Sequence, residues 1–515
     1  MHNRPKLWTI TATDSSGGAG AFADMKVAQR LGCECQAVVI AVTAQNSQGV
    51  IAAQSLALSL VKTQWQALTA DGWPAVIRLG WLPAEPELLS WLVQKLTDFQ
   101  GTVIWDPVLV ASQGSALTQT WQTEAIHPYF LQLLGRTDLI TPNVNEARIL
   151  SGLAANSNAS DCAAKLVEMG AKHVLITGLD SFADRTVDTD KEQMADYFLY
   201  SNKTQLGKSQ LPGASLLTEF YLSKSKLNIS PHGTGCHLAA SLACLLAKEV
   251  NLYDALTQAV CSTSVAIKHS SNVLKGASNV WASDFTQATL QDWPQVLTCA
   301  QQVNVQSIKS FKRLQRPLGV YGLVDNLAHL ERLIQLGIDT LQWRVKRPDE
   351  HYQSDTQYAI KLCKEANIPL FINDDWRLAI ELNAYGVHLG QEDLANANLN
   401  AIQRAGLHLG VSTHSDWEVA RARAIQPSYI ALGPIFKPLS KELKYEPLGL
   451  ERLANYVARF PYISFTCIGG ITQHNATQVW RTGVQSIAVV TDLANDSGLE
   501  QRLLSLRASK LKALA

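Results

Sequence analysis

The sequence predicts two α/β domains in tandem: a doubly wound parallel sheet of αβα layering, followed by a TIM (β/α)8 barrel. Three observations carry this. The chain has 515 residues, several times the roughly 150 of a common single domain. Short β-branched or apolar runs recur along it, separated by longer Ala/Leu/Gln-rich stretches of helical periodicity. Beyond residue 316, eight such runs fall within about 180 residues, which is the alternation of an eightfold barrel.

In the first half, LWTITAT, CQAVVIAV, AVIRLGWL, GTVIWDPV, TDLITPN and HVLITG are the expected strands, most of them followed by a Gly, Asn or Asp turn and a helix. Strands alternating with helices pair in parallel, because each needs a crossover to rejoin the sheet. From about Asp180 to Ser230 the pattern becomes polar and alternating, as in DYFLYSN and SLLTEFYLSKS, which suits antiparallel edge strands or a flap. A long helix follows PHGTGC. The periodicity weakens over 291–315, so a linker is expected there between domains 1–290 and 316–515, with SFKRLQRP closing it in basic residues and a proline. The barrel strands are LGVYGLV, TLQWRV, PLFIND, GVHLG, LHLGVS, YIALGP, SFTCIGG and SIAVVT.

Lys plus Arg and Asp plus Glu each number 44, for a formal net charge of zero. No basic excess exists to follow a nucleic acid or an anionic membrane, and neither is an expected partner. Hydrophobic residues make up 47% and charged residues 17%, against roughly 25% charged in ordinary soluble domains, which excludes disorder as the main state. Nine cysteines without a C-x-x-C pair argue for a reduced, cytoplasmic chain. MHNRPKLWTI lacks the apolar core of a signal peptide, and no apolar run reaches the roughly 20 residues that span a bilayer.

A TIM barrel places its chemistry at the C-terminal ends of its strands. The second barrel run ends Gln342-Trp343-Arg344-Val345-Lys346, and period-two alternation puts Gln342, Arg344 and Lys346 on one side. The third ends Asn373-Asp374-Asp375 and the fourth Gln391-Glu392-Asp393, hard oxygen donors of the kind magnesium takes beside a substrate phosphate. Cations and carboxylates together point to a metal-bound diphosphate. Ser412 ends the fifth run, a loop from Gly433 to Lys441 follows the sixth, and Gly469-Gly470 ends the seventh. Loops after strands seven and eight commonly bind phosphate. Taken singly, such residues are turn formers and caps, and Asp375 reads first as a helix N-cap.

The ordered motifs Q-W-R-V-K, F-I-N-D-D, H-L-G-Q-E-D, G-V-S-T-H, A-L-G-P-I-F with Ser440-Lys441, and I-G-G-I-T resemble those of thiamine-phosphate synthases across nearly all of residues 316–495. The resemblance implies that hydroxymethylpyrimidine diphosphate loses its diphosphate as the ring nitrogen of a thiazole phosphate attacks the exocyclic carbon. It implies residue roles as well. Gln342, Arg344, Lys346 and Asn373 would hold the pyrimidine diphosphate, with Ser412 and Lys441 on its phosphates and Asp374 and Asp393 on Mg2+. Pro438, Ser440, Gly470, Val490 and Thr491 would surround the thiazole phosphate. Pro438 stands where the family usually has Thr, so one hydroxyl donor is missing, and Lys437 is the nearby alternative.

In the first half, Thr13-Asp14-Ser15-Ser16-Gly17-Gly18-Ala19-Gly20 joins a strand to the helix AFADMKVAQRL. No Gly-Lys-Ser/Thr ends it, so it is not a P-loop; a structural turn and a ligand cradle are equally open. His232-Gly233-Thr234-Gly235-Cys236 opens a helix, where consecutive N–H groups form an anion hole and the same field is expected to lower the Cys236 pKa. Cys244 and Cys261 read as core residues. Asn143 and Glu146 form either a capping pair or a pair facing ATP phosphates and magnesium. Asp106 ends a strand at the sheet edge where ligands usually lie.

Together D-S-S-G-G-A-G, T-A-Q-N-S, D-P-V, T-P-N-V-N-E-A and H-G-T-G-C resemble the hydroxymethylpyrimidine and phosphomethylpyrimidine kinases of the ribokinase-like superfamily, over about residues 5–275. The resemblance implies that Gln45 contacts the pyrimidine, with Asp24, Gly17 and Gly18 near the substrate. Cys236 would occupy the catalytic-base position, Gly233 and Gly235 would shape the anion hole, and Asp106, Asn143, Glu146 and Thr234 would face ATP and Mg2+. Thr177-Gly178-Leu179 stands where many relatives have Lys-Gly-Gly, which removes one cationic contact.

The expected protein is a bifunctional enzyme of thiamine biosynthesis with small-molecule substrates, ATP as co-substrate and Mg2+ as cofactor; a homo-oligomer is left open. Two alternatives stand beside it. One is a pyridoxal-type kinase joined to another phosphate-binding barrel; the other is a regulatory module that keeps ligand sites in one half without turnover.

Overall fold

The computed structural model describes residues 4–109, 127–179, 193–200, 219–225, 227, 229, 231–270, 278–297, 310–437, 446–495 and 497–514. The chain divides into two units, the first running to Val303 and the second from Asn304.

The first unit contains β1 (Lys6–Asp14), β2 (Glu34–Asn46), β3 (Gly49–Ser55), β4 (Val76–Leu79), β5 (Thr102–Trp105), β6 (Leu139–Ile140), β7 (His173–Leu179), β8 (Gln193–Tyr200), β9 (Glu219–Ser225) and β10 (Gln295–Leu297). They form one sheet in the order β10-β9-β8-β7-β6-β5-β4-β1-β2-β3. β1 runs parallel to β2 and β4, and the pairing stays parallel from β4 to β7, as the six apolar runs predict. β8 and β9 extend the sheet antiparallel. Chain order reverses around β1, which makes its C-terminal end the switch point where ligands of such sheets bind.

Two strands lie outside the sequence expectations. β3 pairs antiparallel with the end of β2, and it is mostly exposed, so it carries no core-facing signal. β10 falls within the stretch expected to be linker, yet it pairs antiparallel with β9. Three residues at a sheet edge are recruited by the neighbouring strand rather than by their own pattern.

Alternation along β1 and β4 separates the two faces of the sheet. Trp8, Ile10, Ile77 and Leu79 join a buried cluster with the helices Leu58–Ala70 and Pro86–Asp98, where Trp65 meets Trp8 and Trp91 edge to face at 5.2 and 5.5 Å. Thr9 and Arg78 face the other way, toward the helices Gly20–Arg30 and Thr234–Ala247. Arg78 is fully buried there between Asp24 at 3.0 Å and Asp106 at 2.6 Å.

The second unit contains β11 (Gly319–Val324), β12 (Thr340–Trp343), β13 (Leu370–Asn373), β14 (Gly386–Leu389), β15 (His408–Thr413), β16 (Tyr429–Leu432), β17 (Phe465–Cys467) and β18 (Ser486–Val489). They close into a barrel with β18 paired to β11, parallel throughout, and all eight expected runs are strands. Tyr321, Phe371 and Tyr429 fill the interior. Gly410 on β15 leaves the space for one of them, since a Cβ there would overlap the Tyr429 ring. Among the described residues, no helix is long and apolar enough to cross a membrane.

Candidate functional sites

A cleft of about 830 Å³ lies at the C-terminal ends of the parallel strands of the first unit. Asp14, the last residue of β1, lines it. Its carboxylate accepts from the backbone N–H groups of Ser16 (2.8 Å), Gly18 (3.0 Å) and Ala19 (2.8 Å), so the Gly-rich turn folds around this side chain. Burial pushes the Asp14 carboxyl up, but hydrogen bonds from His232 and Ser16 outweigh it and hold the group below its ordinary value. His232 Nε2 lies 3.3 Å from Asp14 and 2.8 Å from the Gln45 carboxamide nitrogen.

Three expected substrate neighbours do not line the cleft. Gly17 and Gly18 shape the turn, while Ala19 and Gly20 line the cleft. Asp24 is fully buried beneath it, accepting from Thr9 Oγ1 at 2.5 Å and from Arg78. A carboxylate in that position anchors Arg78 and lies outside the cleft lining.

The helix Thr234–Ala247 starts at Gly233, whose φ of 90° suits glycine and whose Cβ, if present, would overlap the Gly18 carbonyl. The first-turn N–H groups of Thr234, Gly235 and Cys236 have no acceptor within the helix, and all three residues line the cleft. The Cys236 thiol lies beside Asp106 and Arg78, near enough to interact with both. Burial pushes it up to about 12, with Arg78 opposing and Asp106 and Asp24 adding to the rise. The lowered pKa expected from the helix start is therefore reversed, because desolvation outweighs the helix field.

Asn143 and Glu146 form a complete capping box on the helix Val144–Ser151, with Asn143 Oδ1 accepting from Glu146 N and Glu146 Oε2 from Asn143 N, both at 2.9 Å. Both residues also line the cleft. Burial and the nearby Asp106 push Glu146 up to about 8, against the N–H bonds from Asn143 and Leu109.

At the C-terminal mouth of the barrel, Gln342, Asn373 and Ser412 sit at or next to the ends of β12, β13 and β15. Arg344 and Lys346 follow β12 and are exposed. Asp374 has a left-handed backbone with φ 65°, donates its N–H to the His388 carbonyl at 2.9 Å and accepts from Asn373 Nδ2. Asp393 lies beside it; burial and the Asp393 charge push Asp374 up to about 6, with Arg344 pulling it back. Two carboxylates pressed together beside an arginine suit a divalent cation and an anionic substrate. Asp375 caps the helix Trp376–Glu381 through Leu378 N at 3.0 Å, its ordinary reading.

Burial, with the nearby Arg344 charge, pushes His388 down to about 3, and its Nε2 lies 2.8 Å from Ser412 Oγ. Gly470 adopts φ 65° and its carbonyl accepts from Asn475 Nδ2 at 2.8 Å. Val490 and Thr491 open the short 3-10 helix Thr491–Leu493 after β18, and Asp492 in it accepts from Gln473 N at 2.6 Å, joining this loop to the one after β17. Pro438, Ser440 and Lys441 lie outside the described residues.

Comparison with known proteins decides between the readings. The family model for phosphomethylpyrimidine kinase matches residues 14–281 and that for thiamine monophosphate synthase matches 322–493. The thiamine-phosphate synthase of Photorhabdus laumondii is 46% identical over 197 residues, which are 38% of this chain and 91% of that protein. The chain belongs to the phosphomethylpyrimidine kinase and thiamine-phosphate synthase families. Among solved structures, a phosphomethylpyrimidine kinase from Clostridium difficile aligns with a TM-score of 0.39 and 24% identity, covering 52% of this chain and 98% of its own. A Staphylococcus aureus pyridoxal kinase aligns with a TM-score of 0.45 and 23% identity, covering 55% and 96%. The kinase unit and the synthase unit make this a bifunctional enzyme of thiamine biosynthesis.

The sequence analysis did not single out three residues of the kinase cleft. Asp14 lay inside a quoted motif but reads there as a turn residue. Lys224 on β9 pairs with Asp196 on β8 at 2.8 Å, and among the described residues it is the one Lys or Arg that lines the cleft. It supplies there a cation that Thr177 does not. Only the pairing of β8 with β9 brings Lys224 to Asp196.

Proposed function

We propose that the kinase unit phosphorylates hydroxymethylpyrimidine and then its phosphate with ATP, and that the synthase unit joins the diphosphate to thiazole phosphate. One observation supports the first half above all: the open helix start at Thr234–Cys236, the Cys236–Asp106 pair and Gln45 all face one cleft. Gln45 holds the pyrimidine beside Asp14 and His232. The substrate hydroxyl gives its proton to Cys236 Sγ as the thiol proton passes to Asp106, the freed oxygen attacks the γ-phosphorus of ATP, and ADP departs. The N–H groups of Thr234, Gly235 and Cys236, with Lys224, stabilise the charge on the transferred phosphoryl group. Glu146 and Asn143, with Asp106 close by, fit Mg2+, because Glu146 is a buried carboxylate short of positive charge.

In the synthase unit, Gln342 and Asn373 hold the pyrimidine, and Arg344, Lys346, Ser412 and Lys441 take its phosphates. Gly470, Val490 and Thr491, with Pro438 and Ser440, surround the thiazole phosphate. Asp374 and Asp393 would hold Mg2+, which when bound neutralises the leaving diphosphate. The eight described cysteines are free, which suits a reducing cytoplasm.

One mixture tests both units: purified chain, hydroxymethylpyrimidine, ATP, magnesium and thiazole phosphate, with every phosphorylated pyrimidine quantified. Thiamine phosphate is the expected product. Diphosphate accumulating alone would overturn the synthase reading, and no phosphorylated pyrimidine would overturn the kinase reading. In the same mixture Asp393→Asn is expected to cut thiamine-phosphate formation by roughly 10²–10³-fold, the scale of losing one charge-stabilising group, while pyrimidine diphosphate still accumulates. Unchanged turnover would remove Asp393 from the metal site.

A further inference from the structure

Gln342 on β12 and Ser412 on β15 are joined through the barrel interior by three side chains with no role assigned above. Gln342 Nε2 donates to Tyr321 Oη at 3.1 Å, and the Tyr321 and Tyr429 hydroxyls are 3.0 Å apart. Tyr429 Oη lies 2.7 Å from His388 Nδ1, and His388 Nε2 lies 2.8 Å from Ser412 Oγ. Gln342, Tyr321, Tyr429 and His388 are all buried.

Each link takes one proton, and the chemistry of one end fixes the direction of them all. An amide nitrogen only donates, so the first proton comes from Gln342. Tyr321 then gives its hydroxyl proton to Tyr429, and Tyr429 gives its own to His388 Nδ1. That nitrogen is left bare, so the single ring proton sits on Nε2 and goes to Ser412 Oγ. The Ser412 hydroxyl proton is then left over and turns outward, to the barrel mouth. With the Gln342 amide turned over, every link reverses, and Ser412 would present only lone pairs to an incoming anion.

We propose that Tyr321, Tyr429 and His388 are positioning residues of the synthase, a one-way hydrogen-bond chain that presents Ser412 as a donor to a phosphate oxygen of the pyrimidine diphosphate. The proposal rests on the reading of Ser412 as a phosphate contact. A chain that merely satisfied buried polar groups could run in either direction.

The tautomer of His388 reads that direction. In the full chain labelled with ¹⁵N-histidine, the His388 signals are those lost in His388→Gln, and the expected pattern is a protonated Nε2 with a bare Nδ1. A protonated Nδ1 with a bare Nε2 would overturn the proposal. Kinetics with supplied pyrimidine diphosphate give a second reading. Tyr429→Phe keeps the ring but removes the central link, and is expected to raise the KM for pyrimidine diphosphate by about 10-fold or more, the scale of a lost hydrogen bond to a charged group. The KM for thiazole phosphate should stay unchanged. If Ser412→Ala raises the pyrimidine diphosphate KM and Tyr429→Phe does not, the chain fails while the Ser412 contact stands. If neither raises it, the Ser412 contact fails and the proposal goes with it.

Discussion

Replacing Arg78 with Met is expected to destabilise the kinase unit by about 3–5 kcal/mol, the range found when one member of a buried charge pair is removed. Its guanidinium is fully buried between Asp24 and Asp106, with bonds of 3.0 and 2.6 Å. Burial pushes both carboxyls up, and the Arg78 charge is the main force opposing that rise. Without it, two carboxylates either stay charged in a dry interior or take up protons. A carboxyl raised above its unfolded value favours the folded state at low pH and disfavours it as pH climbs, so the deficit should shrink toward acid. Urea unfolding of the variant at several pH values measures this. Adding Asp24→Asn, which removes one stranded charge, should recover part of the loss. A midpoint that matched the unsubstituted protein would mean that the three groups do not act as a unit.

The largest expected effect on chemistry is at Cys236. Cys236→Ala should lower kinase turnover by about 10²–10⁴-fold, the usual contribution of a proton acceptor, and leave the KM for ATP little changed. Burial pushes the thiol up to about 12, so in the proposed mechanism it passes a proton on to Asp106 and does not act as a standing thiolate. At pH 8 a thiol with that pKa is about 10⁻⁴ ionised, and iodoacetamide should label Cys236 far more slowly than an ordinary exposed cysteine. Rapid labelling would contradict the pairing with Asp106, and full turnover in Cys236→Ala would leave the anion hole as the whole of the catalysis.

The strands with a dense core-facing pattern were legible in the sequence. All eight barrel runs are strands, and so are the six that build the parallel part of the sheet, because each must bury apolar side chains against helices. β3 was not legible, since its residues are mostly exposed and its pairing depends on an overhang of β2. The site divides in a similar way. Asp106, Asn143, Glu146, Asp374 and Asp393 stand at or near strand ends, where sequence order gives position. Arg78 sits within the run V-I-R-L, and nothing local says that its two partners come from residues 24 and 106. The Tyr321, Tyr429 and His388 chain crosses the barrel through side chains on three strands, so no single segment could announce it. Cys236 shows the limit of arguing from one field: the helix start was evident, but the desolvation that overrides it depends on everything packed around the thiol.

Asp374 lies beside Asp393 while its own backbone stays in the left-handed region, at φ 65°. For a residue with a Cβ that conformation costs roughly 1–2 kcal/mol, and glycine would hold it at no such cost. On the proposed metal role of Asp374, the two demands on this position point in opposite directions. A library sorted only for yield of folded protein would drift from Asp toward Gly here, whereas one sorted for growth without added thiamine would keep the carboxylate. On that reading, the identity of residue 374 is set by what the chain makes, against what would make it fold best.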